Sequence, residues 1–95
     1  MESEESWMTV SLVKGRLMSI DRKNEIFTRE VVRKYWDKGE ERSYAASYSH
    51  GIAKDFSDED YEELAECIGL TLVFKLKDGK LVSYEEIGEE DVIEE

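Results

Sequence analysis

From Leu70 to Ile87 the chain alternates apolar and polar residues on either side of an Asp78-Gly79 pair. Leu70, Leu72, Phe74 and Leu76 fall on one side and Thr71, Val73, Lys75 and Lys77 on the other, the two-residue period of a half-buried strand. Asp-Gly suits the tight turn of a two-residue hairpin, so Lys80–Ile87 returns along the first strand. In that register Leu76 opposes Leu81 and Val73 opposes Tyr84. A lone hairpin is at best marginally stable in water, so the rest of the chain has to cover its apolar side.

The preceding segment supplies one cover. Ser57 is a good helix N-cap, and Asp60 completes a capping-box-like pair. Phe56 and Tyr61 fit a hydrophobic staple across that cap. Tyr61, Leu64, Ala65 and Ile68 make an apolar stripe, and Gly69 ends the helix. Upstream, Met8, Val10 and Leu12 alternate with Thr9 and Ser11, which predicts a strand over 7–13. Lys14-Gly15 reads as a turn and Arg16–Ile20 as the returning strand, followed by a polar connection at Asp21–Asn24.

Thr28 reads as a second N-cap, with Phe27 and Val32 as its staple. Val31, Val32, Tyr35 and Trp36 form an apolar helical stripe, Glu30 and Lys34 an i,i+4 pair, and Gly39 the stop. For Glu40–His50 the spacing of Tyr44, Ala45 and Tyr48 favours a third helix, with strand as the alternative. The order ββ-α-(α)-α-ββ predicts an α+β fold: a small antiparallel sheet of two hairpins packed against two or three helices. Residues 1–6 read as a flexible acidic tail, 7–87 as one domain, and 88–95 as an acidic C-terminal segment.

Composition narrows the function. Of 95 residues 39% are charged, and the formal net charge is −11. Average globular domains carry about 25% charged residues. Seven acids without a Lys or Arg lie in each of two short blocks, Asp55–Gly69 and Glu85–Glu95, whereas residues 7–54 carry about four more basic than acidic side chains. Such a balance weakens affinity for nucleic-acid phosphates and anionic membranes. A single cysteine suits a reducing compartment. The opening Met-Glu-Ser-Glu-Glu-Ser is opposite in charge to a signal peptide's start, and the longest apolar runs fall far short of a membrane span. The expected location is cytoplasmic, the host cytoplasm for a viral protein.

On the predicted helix, Glu59, Glu62, Glu63 and Glu66 follow i, i+3, i+4, i+7 and share one face, which Asp58 extends. Glu85, Glu86, Glu89, Glu90 and Asp91 flank that face if the last hairpin packs beside it. Most acidic helix faces are simply solvated. This one lacks the opposite charges that ordinarily relieve i,i+4 repulsion, and the pattern recurs in a separate element. Rows of carboxylates compete with a phosphate ladder for the Lys and Arg of a nucleic-acid-binding protein. DNA mimicry rests on this, and small phage and viral inhibitors use it, some anti-CRISPR inhibitors among them; the likeness is one of charge and size. The expected function is therefore a non-enzymatic interaction domain that occupies a basic nucleic-acid-binding surface. The alternative is a homo-oligomeric assembly domain whose acids serve solubility, with a homodimer the simplest case.

Other chemistry has little support in the residues. His50 has no marked nucleophile or oxyanion partner, and Cys67 lies among acids that raise a thiol's pKa. Asp58, Asp60 and Glu62 lack the glycine and the geometry of a calcium loop. No catalytic residue, metal or cofactor is expected. Arg29 and Arg33 share one helical line, Lys34, Lys38 and Arg42 approximate another, and both read mainly as neutralising their acidic neighbours.

Overall fold

The computed structural model describes residues 9–88 and 93–94, with the backbone alone at 88, 93 and 94. Its elements are β1 (Val10–Asp21), β2 (Ile26–Asp37), β3 (Glu40–Ile52), α1 (Asp58–Ala65), β4 (Thr71–Lys77), β5 (Lys80–Gly88) and β6 (Ile93–Glu94). The fold is thus mostly β, with one short helix. This overturns the α+β expectation of two hairpins covered by two or three helices.

The difference lies in residues 26–52, which form one long antiparallel hairpin in place of two helices. Val31, Val32, Tyr35 and Trp36 satisfy a helical period, yet they are β-branched or aromatic and favour strands. The two-residue period also holds, because Phe27, Arg29 and Val31 are buried in alternation. The deciding signal is the turn. Lys38 and Gly39 have φ of 54° and 81°, the same values as Asp78 and Gly79. Both hairpins therefore close through the same left-handed pair, which only the second spells Asp-Gly. Thr28 caps nothing; its hydroxyl lies 2.9 Å from that of Ser49 on the neighbouring strand. Glu30 and Lys34, neighbours on a helix, stand about 13 Å apart along a strand.

The second correction concerns Gly15. β1 runs unbroken through Lys14-Gly15, and the hairpin turn to β2 comes at residues 22–25. Gly15 is required by a close approach: a Cβ there would stand 3.0 Å from the Glu30 carbonyl oxygen and 3.1 Å from the Arg29 Cβ.

Pairing runs β1-β2-β3-β5-β4 and back to β1, so the five long strands form a mixed sheet curled on itself, a small partly open barrel. Neighbours are antiparallel except β3 and β5, which touch in parallel at Gly51–Ile52 and Lys80–Leu81. β1 changes partner at Arg16: residues 10–16 pair with β4 and 16–21 with β2. Past Glu30, β2 and β3 therefore leave the barrel as a projecting hairpin. β6 lies parallel to β2 at Val32 and Arg33, where β1 has turned away.

The core joins Leu17, Phe27, Ile52, Leu72, Phe74, Leu76 and Leu81 of the sheet to Tyr61 and Leu64 of α1. The Phe27 and Phe74 rings stack at 4.7 Å. α1 starts where the sequence places it. Ser57 Oγ accepts from the Asp60 N–H at 3.1 Å, and the Asp60 carboxylate accepts from the Ser57 N–H at 3.0 Å; such a cap is worth about 1 kcal/mol. Phe56 meets Tyr61 edge-on at 5.7 Å, and Gly69 follows with φ 95°. Ile68, placed on the apolar stripe by its spacing, is instead exposed. In the last hairpin Leu76 opposes Leu81 as read, but an irregularity at Lys75/Leu76 shifts the register, so Tyr84 faces Phe74 and Val73 faces Glu85. Among the described residues no helix is long and apolar enough to cross a membrane.

Gly15→Ala should destabilise the protein by about 1–3 kcal/mol, the usual cost of overpacking, and lower its urea midpoint. An unchanged midpoint would mean that β1 and Arg29 are not in close contact.

Candidate functional site

The acids singled out in the sequence divide between two elements and the residues outside the description. Asp58, Glu59, Glu62, Glu63 and Glu66 are exposed on α1 and its C-cap, and Glu85 and Glu86 are exposed on β5. Glu89, Glu90 and Asp91 lie outside the described residues. Asp58 forms an ion pair with Arg22 of the β1–β2 turn, and the same guanidinium lies 4.6 Å from the centre of the Tyr61 ring. Glu59, Glu62, Glu63, Glu66, Glu85 and Glu86 make no ion pair among the described residues.

The two acidic blocks meet in space. Burial pushes the Cys67 thiol up, and the charges of Glu86, Glu66 and Glu63 push it further. The Tyr84 hydroxyl is likewise raised by burial, then by Cys67, Glu63, Asp60 and Glu66. Cys67 is thus held away from the reactive thiolate by the same field. Between α1 and β5 an open groove of about 380 Å³ has Asp55, Asp60 and Glu63 among its acids and Phe56 and Tyr84 among its walls. Carboxylates beside aromatic rings make a receptacle for a Lys or Arg side chain.

A second constellation escaped the sequence reading. The register of β2 with β3 sets Phe27 against His50, Arg29 against Tyr48, Arg33 against Tyr44 and Tyr35 against Arg42. Cations and rings therefore alternate along one face of the hairpin. Arg29 is 4% exposed; its Nε donates to His50 Nε2 at 3.0 Å and its Nη1 to the Lys14 carbonyl at 2.7 Å. The Tyr48 ring lies between two guanidiniums, with Arg29 at 4.7 Å and Arg33 at 5.3 Å from its centre. Arg33 Nε also donates to the Tyr48 hydroxyl at 2.5 Å. Farther out Tyr35 meets Tyr44 edge-on at 5.9 Å. At the tip Arg42 pairs with Asp37 at 3.5 Å and Glu40 at 3.3 Å, and Lys34 with Glu41 at 3.7 Å, exposed pairs worth at most about 1 kcal/mol each.

The available signal was symmetry. Arg29-x-Val31-x-Arg33-x-Tyr35 mirrors Arg42-x-Tyr44-x-Ala46-x-Tyr48 about Lys38-Gly39 once a strand period is applied. Arg29 and Arg33 share a face under either period, but only the strand brings Tyr48 between them. The exposed Trp36, Tyr35 and Tyr44 belong to this hairpin. They lie roughly 20–30 Å along β2 from the core at Phe27, at about 3.3 Å per residue, so they do not join the acids of α1. Among the described residues no group of three or more His, Cys, Asp or Glu is placed to hold a metal ion. Comparison with protein-family models, curated proteins and solved structures returned no match.

His50 stacks on Phe27 at 5.3 Å. Its pKa is pushed below 6.5 by burial and then by the charge of Arg29. The unfolded chain therefore takes up this proton first as pH falls. His50's contribution to stability is whole above pH 6.5 and is lost as pH drops through the lower folded-state value. His50→Gln keeps an acceptor for Arg29 without titrating. The melting temperature of wild type relative to this variant should fall between pH 7.5 and pH 5. A constant difference would remove His50 from the account.

Glu63, Glu66 and Glu86 changed together to Gln should raise the rate of Cys67 alkylation at pH 8, because three charges opposing the thiolate are gone. An unchanged rate would mean that the two blocks do not converge.

Proposed function

We propose that this protein is a non-enzymatic interaction domain whose acidic α1–β5 face occupies the basic, nucleic-acid-binding surface of another protein. The supporting observation is the groove in which acids of α1 and its approach face Tyr84 of β5. The arrangement is costly to keep. Glu62 and Glu66 repel at i,i+4, and the last turn of α1 has no basic residue although cations are favoured there. A target's Lys or Arg would enter the groove between the carboxylates and the rings, while Glu59, Glu62, Glu66 and Glu86 meet the surrounding positive charge. Binding of this kind weakens steeply with salt, because exposed charges are screened within about 10 Å at 0.1 M.

A homo-oligomeric assembly domain is the second reading. It draws on the exposed Trp36, which is 73% accessible at the hairpin tip, since aromatic side chains are enriched at protein interfaces. Sedimentation at low and high salt separates the two: a dimer that survives high salt favours assembly.

Capture from host lysate on the immobilised protein at low salt should retain nucleic-acid-binding proteins that elute with salt steps or with duplex DNA. The variant with Glu59, Glu62, Glu63 and Glu66 all changed to Gln should keep its fold by circular dichroism and lose that capture. Equal capture by the variant would sink the proposal.

A further inference from the structure

The edge of β2 changes hands along its length. Up to Glu30 it is paired with β1, and at Val32 and Arg33 with β6, which runs parallel to it. From Lys34 to Asp37 that edge has no strand partner among the described residues. Its other edge is paired with β3 throughout. The stretch from Val31 to Asp37 is thus a row of backbone donors and acceptors about 20 Å long, at about 3.3 Å per residue.

What this edge accepts is shown by what it holds. Ile93 and Glu94 belong to Gly-Glu-Glu-Asp-Val-Ile-Glu-Glu, an octapeptide with five acids and no base. The strand they pair with carries Arg33, and Arg29 stands four residues before it. We propose that the β2 edge from Val31 to Asp37 is a strand-addition site for an extended acidic polypeptide of another protein, which displaces the chain's own C-terminal strand.

Three observations carry the choice of partner. Main-chain pairing at a sheet edge supplies affinity in this mode of recognition, and neighbouring side chains supply selectivity. The neighbouring cation here is Arg33, held by the hydroxyl and the ring face of Tyr48, so positive charge is presented in a set position. A single-stranded nucleic acid would need open ring faces for its bases on the face that carries Arg33, opposite Trp36. Tyr48 already holds a guanidinium at each of two positions, and Tyr35 and Tyr44 pack on each other. The net charge of −11 further disfavours a phosphate chain.

This site is separate from the α1–β5 face and has the opposite selectivity, so either can fail alone. The probe is a fluorescein-labelled peptide of the sequence of residues 88–95, titrated in trans against the full chain. A tethered occupant competes at an effective concentration near millimolar, so wild type should bind the peptide weakly. Ile93→Pro, a residue unfit for a sheet ladder, should release the edge and tighten binding at least tenfold. Adding Arg33→Gln should reverse most of that gain, and a peptide with every Glu and Asp replaced by Gln should bind at least tenfold more weakly. Circular dichroism and melting curves establish that each variant is folded. Absence of peptide binding to folded Ile93→Pro protein would overturn the proposal. So would displacement of the peptide by oligo-dT, which would make the face a nucleic-acid site. A wild-type dimer that dissociates on Ile93→Pro substitution would also overturn it, by assigning the edge to the tail of a second copy.

Discussion

Arg29 is the side chain on which the architecture turns. It is buried where β1 parts from β2, and it reaches both neighbours of its own strand: the Lys14 carbonyl on β1, and His50 and Tyr48 on β3. A guanidinium taken out of water is expensive unless its donors are satisfied. The Lys14 carbonyl, His50 and the Tyr48 ring are among the groups that meet it, and Gly15 makes room by having no side chain. Below this junction the five long strands close over Phe27, Phe74 and Leu17. Above it β1 follows β4, and the hairpin continues with β6 beside it at Val32 and Arg33. One residue thus marks where the barrel stops being a barrel.

That division gives the molecule two surfaces of opposite character. α1 seals the core with Tyr61 and Leu64 and turns its glutamates outward, so the acid row rests on a capped helix backed by the sheet. The hairpin carries cations interleaved with rings, and beyond Arg33 the outer edge of β2 has no strand partner among the described residues. A formal charge of −11 conceals this arrangement, because five of the thirteen Lys and Arg residues lie on the hairpin, with Arg29 among them buried. The convergence of Glu63, Glu66 and Glu86 around Cys67 is the counterpart at the other surface.

The elements with a local signature were legible in the sequence. Ser57, Asp60, Phe56 and Tyr61 announce α1 because capping and stapling are contacts within five residues. Asp78-Gly79 announces the last hairpin because few other pairs take a left-handed turn readily. The hairpin from 26 to 52 was not legible from the same cues. Val31, Val32, Tyr35 and Trp36 fit two periods, and Thr28 and Gly39 imitate helix caps. What decides for strands is pairing with partners up to some 25 residues away, together with a Lys38-Gly39 turn that lacks the Asp spelling. Gly15 misled for a related reason. Its requirement is the approach of Arg29 from another strand, which no local pattern records. The acid row was visible as spacing, while its meeting with Glu86 depended on how β5 lies beside α1. The cation–ring ladder was hidden until a strand period aligned its two halves.

The account stands or falls on the buried Arg29–His50 contact, and side-chain 15N–1H spectroscopy of arginine observes it directly. The Arg29 Nε–H should appear as a resonance protected from solvent exchange at neutral pH. It should shift and lose protection as His50 takes up a proton below pH 6.5, the direction set by burial and by Arg29 itself. An Arg29 Nε–H that exchanges as fast as those of exposed arginines such as Arg42, with no response to His50 titration, would contradict it.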